Sequence, residues 1–481
     1  MTATRPPVAL AGGLERGAVV AELDIGGAWL VDPASGRSGP GDVVVRDGIV
    51  TAVAWLEGEE AAGIDDRGVI VAPGFIDIHA HLREPGDEDS ETVASGLAAA
   101  AHGGYTTVCT MANTDPALDE PAVLARIRDA ATASGSPVAL LAHGAVSAGR
   151  AGEQLAALGE LADAGVVGFS DDGAPVRPAL LRNALAYAGT LGLPILEHAE
   201  DPTLTTGAEA NEGYVATVLG LRGWPVAGEA AAVSAAIAVL ADVVADVPTA
   251  RLHVTHVSTG AAIERIRAAR AAGLPVSCDV TPHHLAMTDE WVAGARRWAW
   301  EAVDGDGDRD PWADRALVAP PFDPACRVNP PLRRPTDAAA CRAALRDGLA
   351  IAIATDHAPH HEVKKAVEFG LAATGIDGLE TALGVTLAMV DAGELTLARA
   401  IEALTVGPAS FLGLRLGRRV GLLEGEPADL VVFDRRASWR VDGDSLASRS
   451  RNTPLLGREL PGVVLATIAG GRLAYAAPDE G

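Results

Sequence analysis

Eight short apolar runs, each followed by a longer stretch with helical spacing, constrain this chain more than any other feature. They fall at 74–79, 106–111, 138–143, 166–169, 194–198, 252–256, 276–280 and 350–355. Strands that alternate with helices form parallel sheets, because each helix carries the chain back to start the next strand in the same direction. A count of eight favours closure into an α/β (β/α)8 barrel over a doubly wound open sheet, and no glycine-rich phosphate loop follows the first run. Outside this region the texture changes. Val/Ile-rich runs between 43 and 71, broken at Asp47-Gly48 and Arg67-Gly68, read as hairpins, and 428–433 and 463–475, with Gly470-Gly471 between apolar runs, repeat the pattern. The expected organisation is a barrel over 73–415, a small β-sandwich built from 21–72 and 416–481, and an extension without structure over 1–20.

Chemistry-bearing residues cluster where such a barrel places its active site, at the C-terminal ends of the strands. His79 and His81 close the first run, and alternation sends residues i and i+2 to one side. A bare H-x-H could equally end a buried strand. Here Asp171-Asp172 follow the fourth run, His198 the fifth, His256 the sixth and Asp356 the eighth. Taken singly, each has a plain structural reading as a turn carboxylate or a core histidine. Taken together they form a mixed His/carboxylate set suited to zinc or a related divalent ion.

The formal net charge of -26 over 481 residues argues against nucleic acid or anionic membrane as a partner, since both demand a cationic surface. An anionic small substrate would need a local Arg or His. The four cysteines are widely spaced and form no C-x-x-C pair, so neither a disulfide framework nor a thiolate zinc site is indicated, and the cytosol is the expected compartment. The first 20 residues hold no continuous apolar stretch of the signal-peptide kind.

The run Gly74-Phe75-Ile76-Asp77-Ile78-His79-Ala80-His81-Leu82-Arg83-Glu84-Pro85-Gly86 resembles the motif of bacterial class I dihydroorotases in the cyclic amidohydrolase superfamily. The resemblance continues through Met111-Ala112-Asn113-Thr114, Phe169-Ser170-Asp171-Asp172-Gly173, Thr281-Pro282-His283-His284-Leu285 and Asn329-Pro330-Pro331-Leu332-Arg333. It also takes in Ala354 to His360, Gly378-Leu379-Glu380-Thr381 and Asn452-Thr453-Pro454-Leu455. It implies reversible interconversion of N-carbamoyl-L-aspartate and L-dihydroorotate with one or two zinc ions per chain, two if Asp172 bridges. His79, His81, Asp172 and Asp356 would surround one ion, and Asp172, His198 and His256 the second, with Asp356 as acid/base. Arg83, whose planar fork suits a carboxylate, would hold the substrate with His81, Asn113, Asn329, His360, Thr374 and Gly375. A homo-oligomer and association with aspartate transcarbamoylase are further implications.

Lysine content sharpens this independently. Many related cyclic amidohydrolases bridge their ions with a carboxylated lysine after the fourth strand, but Lys364 and Lys365 are the only lysines here, both after the eighth run. Any bridge from the fourth strand must be an aspartate, which counts against hydantoinase-like or allantoinase-like activity. A non-catalytic structural partner of aspartate transcarbamoylase is disfavoured because all six candidate ligands are present. The chain departs from the family at Ala112, where proline is usual, and at Ala373-Thr374-Gly375. The segment 290–328 is long, holds Trp291, Trp298, Trp300 and Trp312, and suggests packing against the body or a subunit. Its acidic stretch Asp304 to Asp308 lacks the residues of a calcium loop at Arg309 and Arg315. His283 and His284 are expected to be structural.

Overall fold

The computed structural model describes residues 8–10, 15–301 and 317–478. Its centre is a closed barrel. Phe75–Ala80, Tyr105–Thr110 and Ala139–Ala142 pair in parallel, as do Ile195–Glu197, Leu252–Val254, Val276–Val280 and Ala350–Ile353. The two groups meet through Phe169, which bridges to Gly144 and Ile195, and through the Ala80–His357 bridge on the far side. The expected fourth strand is thus reduced to one bridging residue. Backbone bonds from Val167 N to Ala142 O and from Leu196 N to Phe169 O keep it in the ring.

Local chemistry sets the helix starts. Thr92 and Ser95 cap Val93–His102 reciprocally, and proline occupies the first turn of Pro121–Ser134, Pro178–Thr190 and Pro335–Arg346, where its missing N–H is no loss. The helix Val226–Val243 is apolar and long enough to cross a membrane. It is nevertheless a barrel helix: its Glu229 is buried and accepts from Ser258 N at 2.8 Å and Ser258 Oγ at 3.0 Å. Inside the barrel, Phe411 packs with Ile76, Ile78, Cys109 and Leu196, its ring 4.6 Å from that of His253.

Both chain ends build one sheet. Its strands run in the order Arg472–Ala476, Glu459–Ala469, Leu430–Arg440, Val69–Pro73, Glu22–Asp32, Arg37–Arg46, Ile49–Trp55. The expected β domain from both chain ends is present, its strands joined in one sheet that curls around Leu23, Ile25, Val43, Val71, Val432 and Ile468. A Cβ on Gly48 would lie 2.8 Å from Gly471 O, so the turns at both positions need glycine. Asp47-Gly48 is the expected hairpin turn, with φ of 49° and 77°. Arg67-Gly68 is not a hairpin: it leads into Val69–Pro73, which pairs with the remote strands Leu430–Arg440 and Glu22–Asp32. Two described stretches within 1–20 also depart from expectation. Val8–Leu10 pairs antiparallel with Ile25 to Leu23, satisfying an edge that would otherwise expose backbone donors, and Val20 is fully buried, its N–H on Gly471 O at 3.0 Å.

The tryptophan-rich segment packs on the body. Trp291 is fully buried, and the Arg458 guanidinium lies 3.8 Å from the Trp298 ring centroid. Trp312, the Asp304 to Asp308 stretch, Arg309 and Arg315 lie outside the described residues.

Candidate metal centre

The strand ends bring all six expected ligands together in a buried cluster. The Asp171-Asp172 ambiguity is resolved by direction. Asp171 turns outward and accepts from Val146 N at 2.8 Å and Ser147 N at 3.0 Å. Asp172 turns inward and sits among four imidazoles. Its Oδ1 is 3.5 Å from His79 Nε2, 3.5 Å from His198 Nδ1 and 3.3 Å from His256 Nε2, while Oδ2 is 3.5 Å from His81 Nε2. Asp356 Oδ1 lies 3.4 Å from His79 Nε2 and 3.0 Å from His81 Nε2. Two overlapping donor groups result, His79–His81–Asp356 and His79–Asp172–His256.

A second layer aims these side chains. Asn113 Oδ1 is 2.8 Å from His81 Nδ1, so that nitrogen carries the proton and Nε2 keeps its lone pair for the cluster. Glu200 does the same for His198, with Oε2 at 3.0 Å from Nε2, leaving Nδ1 to face Asp172. Asp279 accepts from His256 N at 2.6 Å and contacts His253 Nε2 at 2.9 Å. Asp77 accepts from Thr355 N at 3.1 Å and His79 N at 3.2 Å, joining the first and eighth strands; burial pushes it up to about 6 against those bonds. His256 and Asp356 hold φ of 37° and 47°, and Arg83 62°, sparsely populated conformations that the surrounding bonds enforce.

The donor chemistry fits a divalent cation. His79 is fully buried, yet neither of its ring nitrogens has a hydrogen-bond partner among the described residues. An orphan of that kind is costly unless a cation takes its lone pair. His198 Nδ1 and His256 Nε2 face each other at 2.9 Å, two nitrogen lone pairs converging on one space. Burial opposes charge throughout, but Asp172 and Asp356 lift His79 to about 9, and Asp172 and Glu200 lift His198 to about 10. The carboxyls of Asp172 and Asp356 are held below the usual carboxylate range by the surrounding imidazoles. Such a cavity has a strongly negative potential, which a cation satisfies by displacing protons.

Beside the cluster lies a cation without an anion. Arg83 makes no pair with Glu84, whose Oε2 instead accepts from Val93 N at 2.8 Å. Its Nε donates to Pro359 O at 2.9 Å, its NH2 is 3.3 Å from His360 Nε2, and it has no carboxylate within 4.0 Å among the described residues. His360 Nε2 donates to Thr374 O at 2.9 Å; burial and Arg83 push this imidazole down to about 3, so it is neutral. Gly375 follows with both backbone groups engaged, N–H on Arg327 O at 2.9 Å and C=O on Asn452 Nδ2 at 2.9 Å. Asn329 stands across the mouth, its Nδ2 on Glu200 Oε2 at 2.9 Å. Ala112 is buried, and its carbonyl accepts from Leu118 N at 3.0 Å, a bond that fixes the turn carrying Asn113 in place of the usual proline ring.

His284 is structural as expected, bound to Thr281 Oγ1 at 2.8 Å and Pro330 O at 3.0 Å. Glu200 and Asp279 are the supporting residues of this cluster that sequence reasoning missed. Asp279 left a signal, a lone carboxylate inside the apolar strand Val276–Val280, which burial permits only with partners. Glu200 left none, because a carboxylate two residues past a strand end is ordinary.

Comparison with known proteins agrees with this geometry. Residues 70–474 match the model of the amidohydrolase family. A dihydroorotase of Anaeromyxobacter dehalogenans is 46% identical over 460 residues, covering 94% of this chain and 98% of its own. One from Pelotomaculum thermopropionicum is 42% identical over 455 residues, with 94% and 98% coverage. Among solved structures, an L-hydantoinase (dihydropyrimidinase) from Arthrobacter aurescens superposes with a TM-score of 0.74 at 23% identity, covering 95% of this chain and 97% of its own. That likeness speaks for the fold: a barrel with a β-sheet domain from the chain ends.

Proposed function

The chain belongs to the amidohydrolase family and to its dihydroorotase branch, and from that premise we infer that it interconverts N-carbamoyl-L-aspartate and L-dihydroorotate in de novo pyrimidine biosynthesis. The observation that carries the reading is the pairing of two features at one barrel mouth: a carboxylate among four imidazoles, and a guanidinium with no carboxylate of its own. The first suits hydrolysis of a cyclic amide, the second an anionic substrate.

We assign the cluster to zinc, one or two ions per chain, two if Asp172 were to serve both. When bound, a divalent cation brings the pKa of a water towards ~7 and polarises the carbonyl oxygen. The protein's own groups do the rest. Asp356, ionised beside His79 and His81, takes the proton of the attacking water. The C–N bond of the ring then breaks, and Asp356 returns that proton to the leaving nitrogen; ring closure runs the same steps backwards. Arg83 holds the exocyclic carboxylate, with Asn113 and neutral His360 beside it adding no charge. Asn329, His81 and the Thr374-Gly375 backbone bound the ring. Hydantoinase-like proteins share the fold, but a carboxylated lysine cannot stand where this chain has Asp172.

Purified protein supplied with zinc should interconvert the two compounds, and metal-replete, folded protein without that activity would overturn the reading. Asp356→Asn should lower kcat by about 10²–10⁴ with the far-UV spectrum unchanged. The proposal extends to a cytoplasmic homo-oligomer associating with aspartate transcarbamoylase, which size measurements of the protein alone and mixed with that enzyme test.

A further inference from the structure

One segment from the C-terminal part of the chain leaves the sheet and crosses the barrel mouth. Between the strands Leu430–Arg440 and Glu459–Ala469, its backbone is tied down by two buried barrel carboxylates. Glu380 accepts from Ala447 N at 3.0 Å and Ser448 N at 3.1 Å. Glu91 accepts from Ser448 Oγ at 2.6 Å and Arg449 N at 3.3 Å. Anchored in this way, the strap delivers Asn452, only 5% exposed, between two neighbouring stretches of backbone. Its Oδ1 accepts from His360 N at 2.9 Å, and its Nδ2 donates to Ala358 O at 3.0 Å and Gly375 O at 2.9 Å. Its own carbonyl accepts from Asp377 N at 3.2 Å. Ser450 Oγ adds a bond to His360 O at 3.0 Å.

We propose that Asn452 is a positioning residue for substrate recognition, clasping the His360 and Gly375 backbones at the spacing the substrate requires. This rests on the reading above that Arg83, His360, Thr374 and Gly375 face the substrate. Both hydrogens and the oxygen of the amide are used, on three backbone groups from two segments. Beyond the backbone bond from Ala358 N to Ile376 O at 3.0 Å, Asn452 closes the ladder between these stretches. Without the amide, two buried carbonyls lose their partner and His360 N keeps only Ser450 Oγ, at 3.2 Å. The His360 ring, 3.3 Å from Arg83, then loses its fixed place relative to the guanidinium. Asn452 touches none of the six metal-facing residues, so the metal should be retained.

The test compares Asn452→Ala and Asn452→Asp with Arg83→Ala and with Leu456→Ala, a half-exposed strap residue outside the site. Asp keeps the size of Asn and an acceptor for His360 N, but turns an oxygen towards two carbonyls; it also keeps the test open where Ala fails to fold. Both Asn452 variants should raise KM for L-dihydroorotate and N-carbamoyl-L-aspartate about tenfold or more, with kcat within about threefold and zinc content unchanged. Leu456→Ala should change neither constant. A merely structural role would lower melting temperature and leave KM within about twofold, and that result overturns the proposal. If Arg83→Ala raises KM while the Asn452 variants do not, the clasp falls alone. If Arg83→Ala leaves KM unchanged, the substrate-side reading falls and takes the clasp with it.

Discussion

Glu200 gives the sharpest handle on the site, because one carboxylate supports both the metal-facing and the substrate-facing walls. Its Oε2 meets His198 Nε2 at 3.0 Å and Asn329 Nδ2 at 2.9 Å, while Oε1 takes the Thr205 hydroxyl. Burial alone would raise this carboxyl, but the His198, Thr205 and Asn329 bonds hold it down to about 2, so it is a carboxylate under all ordinary conditions. Two routes give the size of its effect. A hydrogen bond to a charged group contributes about 1.5–3 kcal/mol. Loss of the carboxylate behind a metal-binding histidine typically costs 10–100-fold in affinity, about 1.4–2.8 kcal/mol. The ranges coincide, and the geometry orders the variants. Glu200→Gln keeps an oxygen for His198 and an amide for Thr205, losing only charge, so zinc affinity should fall about tenfold. Glu200→Ala frees the imidazole to rotate and should cost about 100-fold. Competition of apo protein with a chromophoric chelator measures this directly. An Ala variant that binds zinc within about twofold of wild type would refute the reasoning.

The barrel and the buried amine give two more. Gly407→Ala places a Cβ 1.9 Å from Ile351 O on the eighth strand and should destabilise by about 1–3 kcal/mol or more, read as a lowered urea midpoint; Gly39→Ala, with nothing within 4 Å, should shift it by under about 0.5 kcal/mol. Equal midpoints would show that the helix Val406–Leu412 yields freely. Burial pushes the Lys365 ammonium down to about 7 from 10.5, its Nζ bound to Pro324 O at 3.0 Å and Arg327 O at 3.1 Å. Between those values the unfolded chain holds a proton the folded one lacks, so wild type should gain stability relative to Lys365→Met as pH rises from 7 to 10; parallel curves would contradict the assignment.

What the sequence made legible depended on range. His79, His81, His198, His256 and Asp356 could be placed because strand periodicity and the barrel rule together fix where a strand end points. Residue type alone did not separate Asp172 from Asp171; the family resemblance chose Asp172, and in the fold Val146 and Ser147 offer their N–H groups to Asp171. Arg67-Gly68 was misread as a hairpin for a reason of range. Val69–Pro73 finds its partners in Leu430–Arg440 and Glu22–Asp32, and pairings of that separation leave no mark on neighbouring residues. The strap was hidden likewise: Asn452 lay in a stretch assigned to the sheet domain, and only the fold brings it to His360.

The sheet shared by both chain ends also dictates an order of events during synthesis. Arg435 bonds to Asp66 across 369 residues, and the strand Val69–Pro73 lies between an early neighbour and this late one. At about 5–20 residues per second, the first strands wait roughly 20 to 70 s for Leu430–Arg440 to emerge. During that interval Val69, Ile70 and Val71 form an unpaired apolar edge, while the barrel helices, whose contacts are local, are already able to form. Completion of the small domain is therefore the last step of folding, and truncation near the C-terminus should harm solubility before it harms the barrel.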